Sequence, residues 1–213
     1  MILYRFVRAV VGVIIRVCWR TTFEGLDNVP ATGPFVLAPV HRSFIDFALV
    51  SGVTRRRLRY MGKDSLWKYK PFGWFISALG AYPVHRRTAD REALRRTIAV
   101  IEAGEPVVLF PEGTRRSGPV VEELFEGAAY VATRAGVPVV PVGIGGSESA
   151  LPKGRRLPRP VKVHVVVGSP MSPPATPEGR HRPSRRAVHQ FTTDLQSEVQ
   201  RLFDKAQAKA VRK

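Results

Sequence analysis

The fold is decided by residues 35–46, FVLAPVHRSFID, in which an apolar run is followed by polar side chains. Residues 35–38 are typical of a buried strand, and Pro39 ends it. His41 then falls in the turn beyond the carboxyl end of the strand, where catalytic groups gather in α/β sheets. Residues on one helix face are three or four apart. His41 and Asp46 can therefore meet only if His41 lies in a loop and Asp46 in the first turn of a following helix.

Two interpretations of this segment are compatible. Ser43 and Asp46 have the spacing of a capping box, in which both side chains satisfy backbone N–H groups at a helix start. Asp46 can also hold the imidazole of His41, and an imidazole held by a carboxylate can act as a general base.

Composition limits the class of protein and its partners. The 213 residues suit one domain with a sizeable core, and the hydrophobic fraction of 44% argues against disorder. The net charge is +17, which favours anionic partners such as nucleic acid, acidic lipid headgroups or phosphorylated substrates. Cys18 is the single cysteine, so an internal disulfide is excluded. No Cys/His cluster has zinc-ligand spacing, and we predict no metal.

Residues 1–20 predict a basic amphipathic helix. At about 100° per residue its arginines fall on one side, within an arc of roughly 120°, and its apolar residues lie mostly on the other side. The arginines are Arg5, Arg8, Arg16 and Arg20, and the apolar residues are Ile2, Phe6, Val10, Val13, Ile14 and Val17. The charges argue against a membrane span, and no small-residue cleavage site of a signal peptide follows. The pattern favours a helix in an anionic membrane interface; the alternative is a helix packed on the core with its arginines in water.

Apolar strands alternate with helical patterns along the rest of the chain. Residues 106–110 and 137–143 are further apolar strands, and the first is followed directly by Glu112-Gly113-Thr114-Arg115. A helix is expected from about 122 to 135. This alternation predicts an α/β fold: a single domain with a largely parallel, mixed sheet flanked by helices, preceded by the interfacial helix.

Two segments have a distinctive composition. Residues 65–79 are rich in aromatic side chains on a helical pattern, which is typical of core, although such a segment could also line an acyl-chain site or meet lipid. The C-terminal spacing of apolar residues predicts an amphipathic helix that packs on the domain. Those apolar residues are Val188, Phe191, Leu195, Val199 and Leu202.

Four motifs stand in one order along the chain: His41-x4-Asp46, Gly80-x5-Arg86, FPEGTR at 110–115, and VVPV at 139–142. Together they resemble the glycerolipid acyltransferases, specifically the bacterial 1-acylglycerol-3-phosphate acyltransferases. The resemblance covers about residues 23–171. It divides the chain into the interfacial helix, 1–20, an acyltransferase domain, 21–171, a proline-rich linker, 172–183, and a C-terminal helix with a basic tail, 184–213.

The resemblance implies the reaction. A fatty acyl chain moves from acyl-CoA, or from an acyl carrier protein, to the free hydroxyl of lysophosphatidate, and phosphatidate is formed for phospholipid biosynthesis. His41 would be the general base, and Asp46 would fix its tautomer. The sequence has no Gly-x-Ser-x-Gly elbow and its cysteine lies far from the motifs, so we expect direct transfer without an acyl-enzyme.

The resemblance also implies the substrate-binding residues. Arg86 and Arg115 are the expected phosphate ligands because a guanidinium binds phosphate in a bidentate way, and Lys63 is a weaker candidate. Glu112 is expected to brace one of these arginines or a substrate hydroxyl. Gly113 and Thr114 complete the set, with Gly113 allowing close backbone approach. Beyond acyl-CoA as co-substrate, no cofactor is expected.

Other functions remain open at this level. The acceptor could be glycerol 3-phosphate or another lysolipid or glycolipid. In a different class, the chain could be a non-enzymatic basic module that binds anionic membrane or nucleic acid. For the acyltransferase we expect a peripheral location on the cytoplasmic face of the cell membrane, and no nucleic-acid partner.

Overall fold

A computed structural model describes residues 2–84, 91–152, 154–175 and 184–211. Seven strands form one sheet: β1 Thr22–Glu24, β2 Val36–Pro39, β3 Arg59–Lys63, β4 Ala81–Val84, β5 Val107–Val108, β6 Val139–Gly145 and β7 His164–Val167. The helices are α1 Ile2–Trp19, α2 Asp46–Val50, α3 Lys70–Ala78, α4 Arg91–Glu102, α5 Gly127–Ala135, α6 Ser147–Ala150 and α7 Arg185–Val211. Short 3₁₀ helices span Leu26–Asn28 and Asp64–Trp67.

The sheet order is β1-β7-β6-β2-β5-β3-β4. Strands β6, β2, β5, β3 and β4 run parallel, whereas β7 is antiparallel to β6 and β1 is parallel to β7. The predicted single-domain, largely parallel mixed sheet is confirmed. Because β2, β5, β3 and β4 are parallel neighbours, the segments that follow them leave the sheet at the same edge.

Some predicted elements are shorter in the structure. α5 begins at Gly127, not near residue 122, because the preceding backbone is bonded elsewhere. The amide of Val121 donates to the side chain of Gln200 on α7, and the amide of Phe125 donates to the carbonyl of Pro111. These tertiary hydrogen bonds take the place of the helical ones that the sequence pattern suggests.

The aromatic segment is not core, contrary to the expectation. Trp67 is partly buried, and a Cβ on Gly62 or Gly73 would lie within 3 Å of its ring. Tyr69 and Trp74, in contrast, are each more than two-thirds exposed. The segment therefore presents aromatic side chains at the surface on and next to α3.

The N-terminal helix packs on the domain through a side that the sequence pattern does not mark. Its buried residues are Tyr4, Ile15 and Trp19. The apolar residues on the other side are all exposed: Ile2, Phe6, Val10, Val13, Ile14 and Val17. At about 100° per residue the two sets lie on opposite sides of the helix, so the apolar side faces away from the domain. In the part of the chain that the structure describes, no helix combines the length and apolarity of a membrane span.

Candidate active site

His41 and Asp46 meet in the arrangement that their spacing requires. His41 lies in the loop after β2, and Asp46 is the first residue of α2. The Nδ1 atom of His41 is 3.0 Å from Oδ2 of Asp46. His41 is 7% exposed and Asp46 is completely buried, so little water competes for this contact. A carboxylate accepts only, so it selects the tautomer with a proton on Nδ1, which leaves Nε2 as a proton acceptor.

The same Asp46 oxygen also fixes the backbone of the loop. Oδ2 accepts the amides of Arg42 and Ser43, each at 2.7 Å. The bond to the Ser43 amide is the backward half of a capping box, whereas the Ser43 hydroxyl donates to the carbonyl of Leu151 at 2.8 Å. Asp46 therefore serves both interpretations of the sequence, and Ser43 does not cap the helix with its side chain.

The loop of residues 110–116 binds the main chain of His41 through both its amide and its carbonyl. The His41 amide donates to Oε1 of Glu112 at 2.8 Å, and its carbonyl accepts the amide of Arg116 at 2.9 Å. His41 follows β2 and Glu112 follows β5, its parallel neighbour. The two strand ends thus form one site.

Glu112 braces a residue that the sequence did not single out. Its Oε2 atom binds Nη1 of Arg42, and both side chains are completely buried. The expected partners were Arg115, Arg86 or a substrate hydroxyl; among the described residues, the donors to Glu112 are instead the His41 amide and the Arg42 guanidinium. A buried carboxylate requires a cationic or N–H partner. Arg42, directly after His41, is the arginine that the fold brings to it.

Aromatic rings set the orientation of the imidazole. The ring of Phe110 lies against that of His41 with centroids 4.1 Å apart, and Phe47 meets it edge-on at 5.4 Å. Gly113 adopts φ +66°, and a Cβ there would lie 2.7 Å from the ring of Phe125. The positive φ favours glycine here whether or not a substrate approaches, and the ring of Phe125 leaves little room for a side chain.

A cavity of about 1440 Å³ opens beside His41. Near the imidazole its walls include Phe47, Tyr60 and Phe110, and further away they include α4 and α5. Burial, and secondarily the neighbouring Tyr4, raises the pKa of Tyr60 above its usual 10, so its phenol is neutral. None of the described residues of the aromatic segment 65–79 lines this cavity.

The described phosphate-binding candidates lie at the same sheet edge. Arg115 is half-buried and has no hydrogen-bonding or ion-pairing partner among the described residues. Thr114 is exposed in the same loop. Lys63 is exposed at the end of β3, where its register partner is Val84 at the end of β4. Arg86 follows β4 and lies outside the described residues.

The fold and the two joined strand ends define an acyltransferase domain. The Acyltransferase family model matches residues 20–145, more than half of the chain, and the chain belongs to this family. The matched residues contain His41, Asp46 and the 110–115 motif, but not α7.

Particular relatives carry a more specific name. A 1-acyl-sn-glycerol-3-phosphate acyltransferase of Bacillus subtilis is 28% identical over 95% of this chain and 98% of its own length. A chloroplastic enzyme of the same name from Arabidopsis thaliana is 30% identical, over 64% of this chain and 39% of its own. The crystal structure of the 1-acyl-sn-glycerophosphate acyltransferase PlsC from Thermotoga maritima superimposes with a TM-score of 0.79 at 26% identity, covering 99% of this chain and 81% of that one.

Proposed function

We propose that this acyltransferase transfers a fatty acyl chain from acyl-CoA to the free hydroxyl of lysophosphatidate, forming phosphatidate, with His41 as the general base. The observation that carries the proposal is the 3.0 Å contact between His41 Nδ1 and Asp46 Oδ2, at the wall of a cavity large enough for a lipid. The names of the relatives support the acceptor.

The chemistry follows from the state of the imidazole. An alcohol is not ionised at neutral pH, so Nε2 of His41 takes its proton while the oxygen attacks the thioester carbonyl carbon. The tetrahedral intermediate collapses as the carbon–sulfur bond breaks, and the CoA thiolate takes the proton from the imidazolium. Asp46 stabilises the imidazolium between these steps.

Transfer is direct, without an acyl-enzyme. The hydroxyl of Ser43, the nearest in sequence to His41, donates to a backbone carbonyl, and Cys18 is exposed on α1. Arg115, with Lys63 and Arg86, binds the phosphate of the acceptor, because the guanidinium of Arg115 has no partner among the described residues and is suited to a bidentate anion. No metal or further cofactor takes part.

Substitution of His41 tests the role of the base. His41→Ala is expected to lower the release of CoA from labelled acyl-CoA and lysophosphatidate by roughly 10²–10⁴-fold. His189→Ala, which removes an exposed histidine of α7, is the matched control and should leave turnover unchanged. CoA release that survives His41→Ala in folded protein contradicts the proposed base.

The acceptor and donor are tested together. Lysophosphatidate, glycerol 3-phosphate and a neutral lysolipid are offered with either acyl-CoA or acylated carrier protein, and kcat/KM is measured for each pair. Preference for lysophosphatidate with acyl-CoA supports the proposal. Turnover with another acceptor alone replaces it with one of the alternative acyltransferase activities, and salt-dependent DNA binding without any turnover favours the non-enzymatic class.

We also propose that the protein is peripheral on the cytoplasmic face of the cell membrane. The outward apolar side of α1, with Arg5 and Arg16 exposed on the same helix, fits an anionic interface. Arg57 connects α1 with α3: its guanidinium lies 5.9 Å from the ring centroid of Tyr4 and donates to the carbonyls of Ser77 and Ala78.

The C-terminal end of α3 therefore lies near Tyr4, on the side of α1 that packs on the domain. Phe72 and Trp74 of α3 are exposed and are preceded by exposed Lys68 and Lys70, a composition that suits lipid headgroups. Deletion of residues 1–20 is a poor test of membrane binding, because it removes the buried Ile15 and Trp19 from the core. Point substitutions on the exposed side are used instead.

A further inference from the structure

We infer that the C-terminal helix α7 positions the catalytic loop through Phe203, Gln196 and Gln200, although α7 lies beyond the residues that define the family. This inference rests on the proposed function, because it concerns how His41 is held for the reaction. Each connection is a contact between described residues.

The direct connection is made by Arg42. Its guanidinium carbon lies 4.9 Å from the centroid of the Phe203 ring, and both residues are 1% exposed. Arg42 also binds Glu112, which accepts the amide of His41. A cation over an aromatic face is stabilised most strongly where water is absent. Phe203 therefore helps to fix Arg42, a side chain that connects α7 to the backbone of the base through Glu112.

The indirect connection is made by two glutamines. Nη2 of Arg42 donates to the carbonyl of Val120 at 3.0 Å. Gln200 accepts the amide of Val121 at 2.6 Å and donates to the carbonyl of Pro119 at 3.0 Å, and Gln196 donates to the carbonyl of Val121 at 3.1 Å. α7 thus holds the segment that carries the second acceptor of Arg42.

The helix α7 is itself held in close backbone contact with strand β6. Gly143 and Gly145 of β6 face its backbone so closely that a Cβ on either would lie within 2.5 Å of backbone atoms of Leu202 or Ala206. The amide of Gly146 donates to the side chain of Gln207 at 2.7 Å. A helix in backbone contact with a central strand is a rigid support, and small errors in catalytic geometry are costly.

None of the residues that α7 contacts in this way, Arg42 and residues 119–121, is among the proposed substrate-binding residues. Phe203, Gln196 and Gln200 are positioning residues, and their loss should change the rate of the chemical step more than substrate binding. Phe203→Leu removes the aromatic face and retains an apolar side chain. Phe191→Leu is the matched control, because Phe191 is a buried aromatic residue of the same helix without a ring contact to Arg42.

The test is steady-state kinetics with acyl-CoA and lysophosphatidate, at a temperature where each variant is folded by circular dichroism. Phe203→Leu is expected to lower kcat roughly tenfold or more, with KM for both substrates within about twofold of the wild type. Phe191→Leu should leave kcat nearly unchanged. Phe203→Tyr, which keeps the aromatic face, should restore much of the lost kcat.

Gln200→Ala provides an independent measurement if Phe203→Leu does not fold. It should lower kcat with KM unchanged, whereas Gln190→Ala, an exposed glutamine of α7 that bonds to Asp194, should not. Equal losses in the two phenylalanine variants, or a change in KM alone, overturn the inference. Wild-type protein without turnover would instead overturn the proposed function.

Discussion

The two terminal helices have similar sequence patterns, but their apolar sides face in different directions relative to the domain. Both α1 and α7 are amphipathic, yet the apolar residues of α7 are buried against β6 and β7, whereas those of α1 face outward. Amphipathic spacing shows that a helix has an apolar side, but not what covers that side. In α7 the sheet covers it; for α1 we propose a membrane.

The largest expected difference in stability is between substitutions of a buried phenylalanine of α7, Phe191, and an exposed one of α1, Phe6. Phe191→Ala should destabilise the protein by about 3–5 kcal/mol, because it leaves a cavity in the core. Phe6→Ala should change the free energy of unfolding by no more than about 0.5 kcal/mol, since Phe6 is 65% exposed and Phe191 only 6%. Urea denaturation of both variants measures the difference. Equal destabilisation would mean that the apolar side of α1 is covered by the protein itself.

Two glycines sharpen the same comparison. Gly143→Ala should destabilise by roughly 1–3 kcal/mol or more, because its Cβ would lie 2.3 Å from backbone atoms of Leu202 on α7. Gly12→Ala, within α1, should stabilise by up to about 1 kcal/mol, since its Cβ meets only the flexible end of Arg16 at 3.4 Å. Thermal denaturation measures both changes, the loss of stability in Gly143→Ala and the gain in Gly12→Ala. A Gly143→Ala variant as stable as the wild type would contradict the close backbone contact between β6 and α7.

A negative charge introduced on the exposed surface of each helix tests whether that surface contacts a membrane. Val13→Asp should weaken binding to vesicles containing anionic phospholipid by roughly tenfold, because it removes an apolar contact and adds repulsion. Thr193→Asp makes a similar change in charge at an exposed position of α7 and should have little effect. Sedimentation with vesicles is the measurement. Unchanged binding of Val13→Asp would count against the proposed membrane contact of α1.

The smallest expected effect lies where α7 meets β1. Hydrogen bonds from Lys205 and Lys209 lower the pKa of Glu24 from its usual 4.5 to about 2. The folded state therefore binds this proton less readily than the unfolded state. The stabilisation is complete above about pH 4.5 and is lost as the pH falls towards 2. It is modest because these side chains are partly exposed.

Glu24→Gln removes this pH dependence. Urea denaturation at pH 6 should show the wild type more stable than the variant, and the difference should shrink at pH 3. A difference that is the same at both pH values would mean that the two lysines do not stabilise the ionised carboxylate.

Local spacing in the sequence accounts for part of the site. The separation of five positions between His41 and Asp46 allows contact only across a loop and a helix start, and the structure has this arrangement. The position of the 110–115 motif after a parallel strand also places it beside His41. The partner of Glu112 could not be predicted, because many arginines are possible partners and only the fold selects Arg42.

Other features depend on contacts between distant parts of the chain. The aromatic residues of 65–79 fit a core pattern, but Tyr69 and Trp74 are exposed. The contact of Arg42 with Phe203 joins residues that are 161 positions apart (203 − 42 = 161). No local pattern encodes such a contact.

By itself, the sequence determined the α/β class, the polar motifs at the strand ends, the His41–Asp46 geometry and the resemblance to acyltransferases. These features follow from period, spacing and residue chemistry, which act over a few positions. Only the tertiary structure decided that α7 faces inward and α1 outward, and that Arg42 links the catalytic loop to the C-terminal helix. The physical reason is that burial depends on two surfaces together. Local sequence patterns determine the character of each surface, but not which two surfaces come into contact.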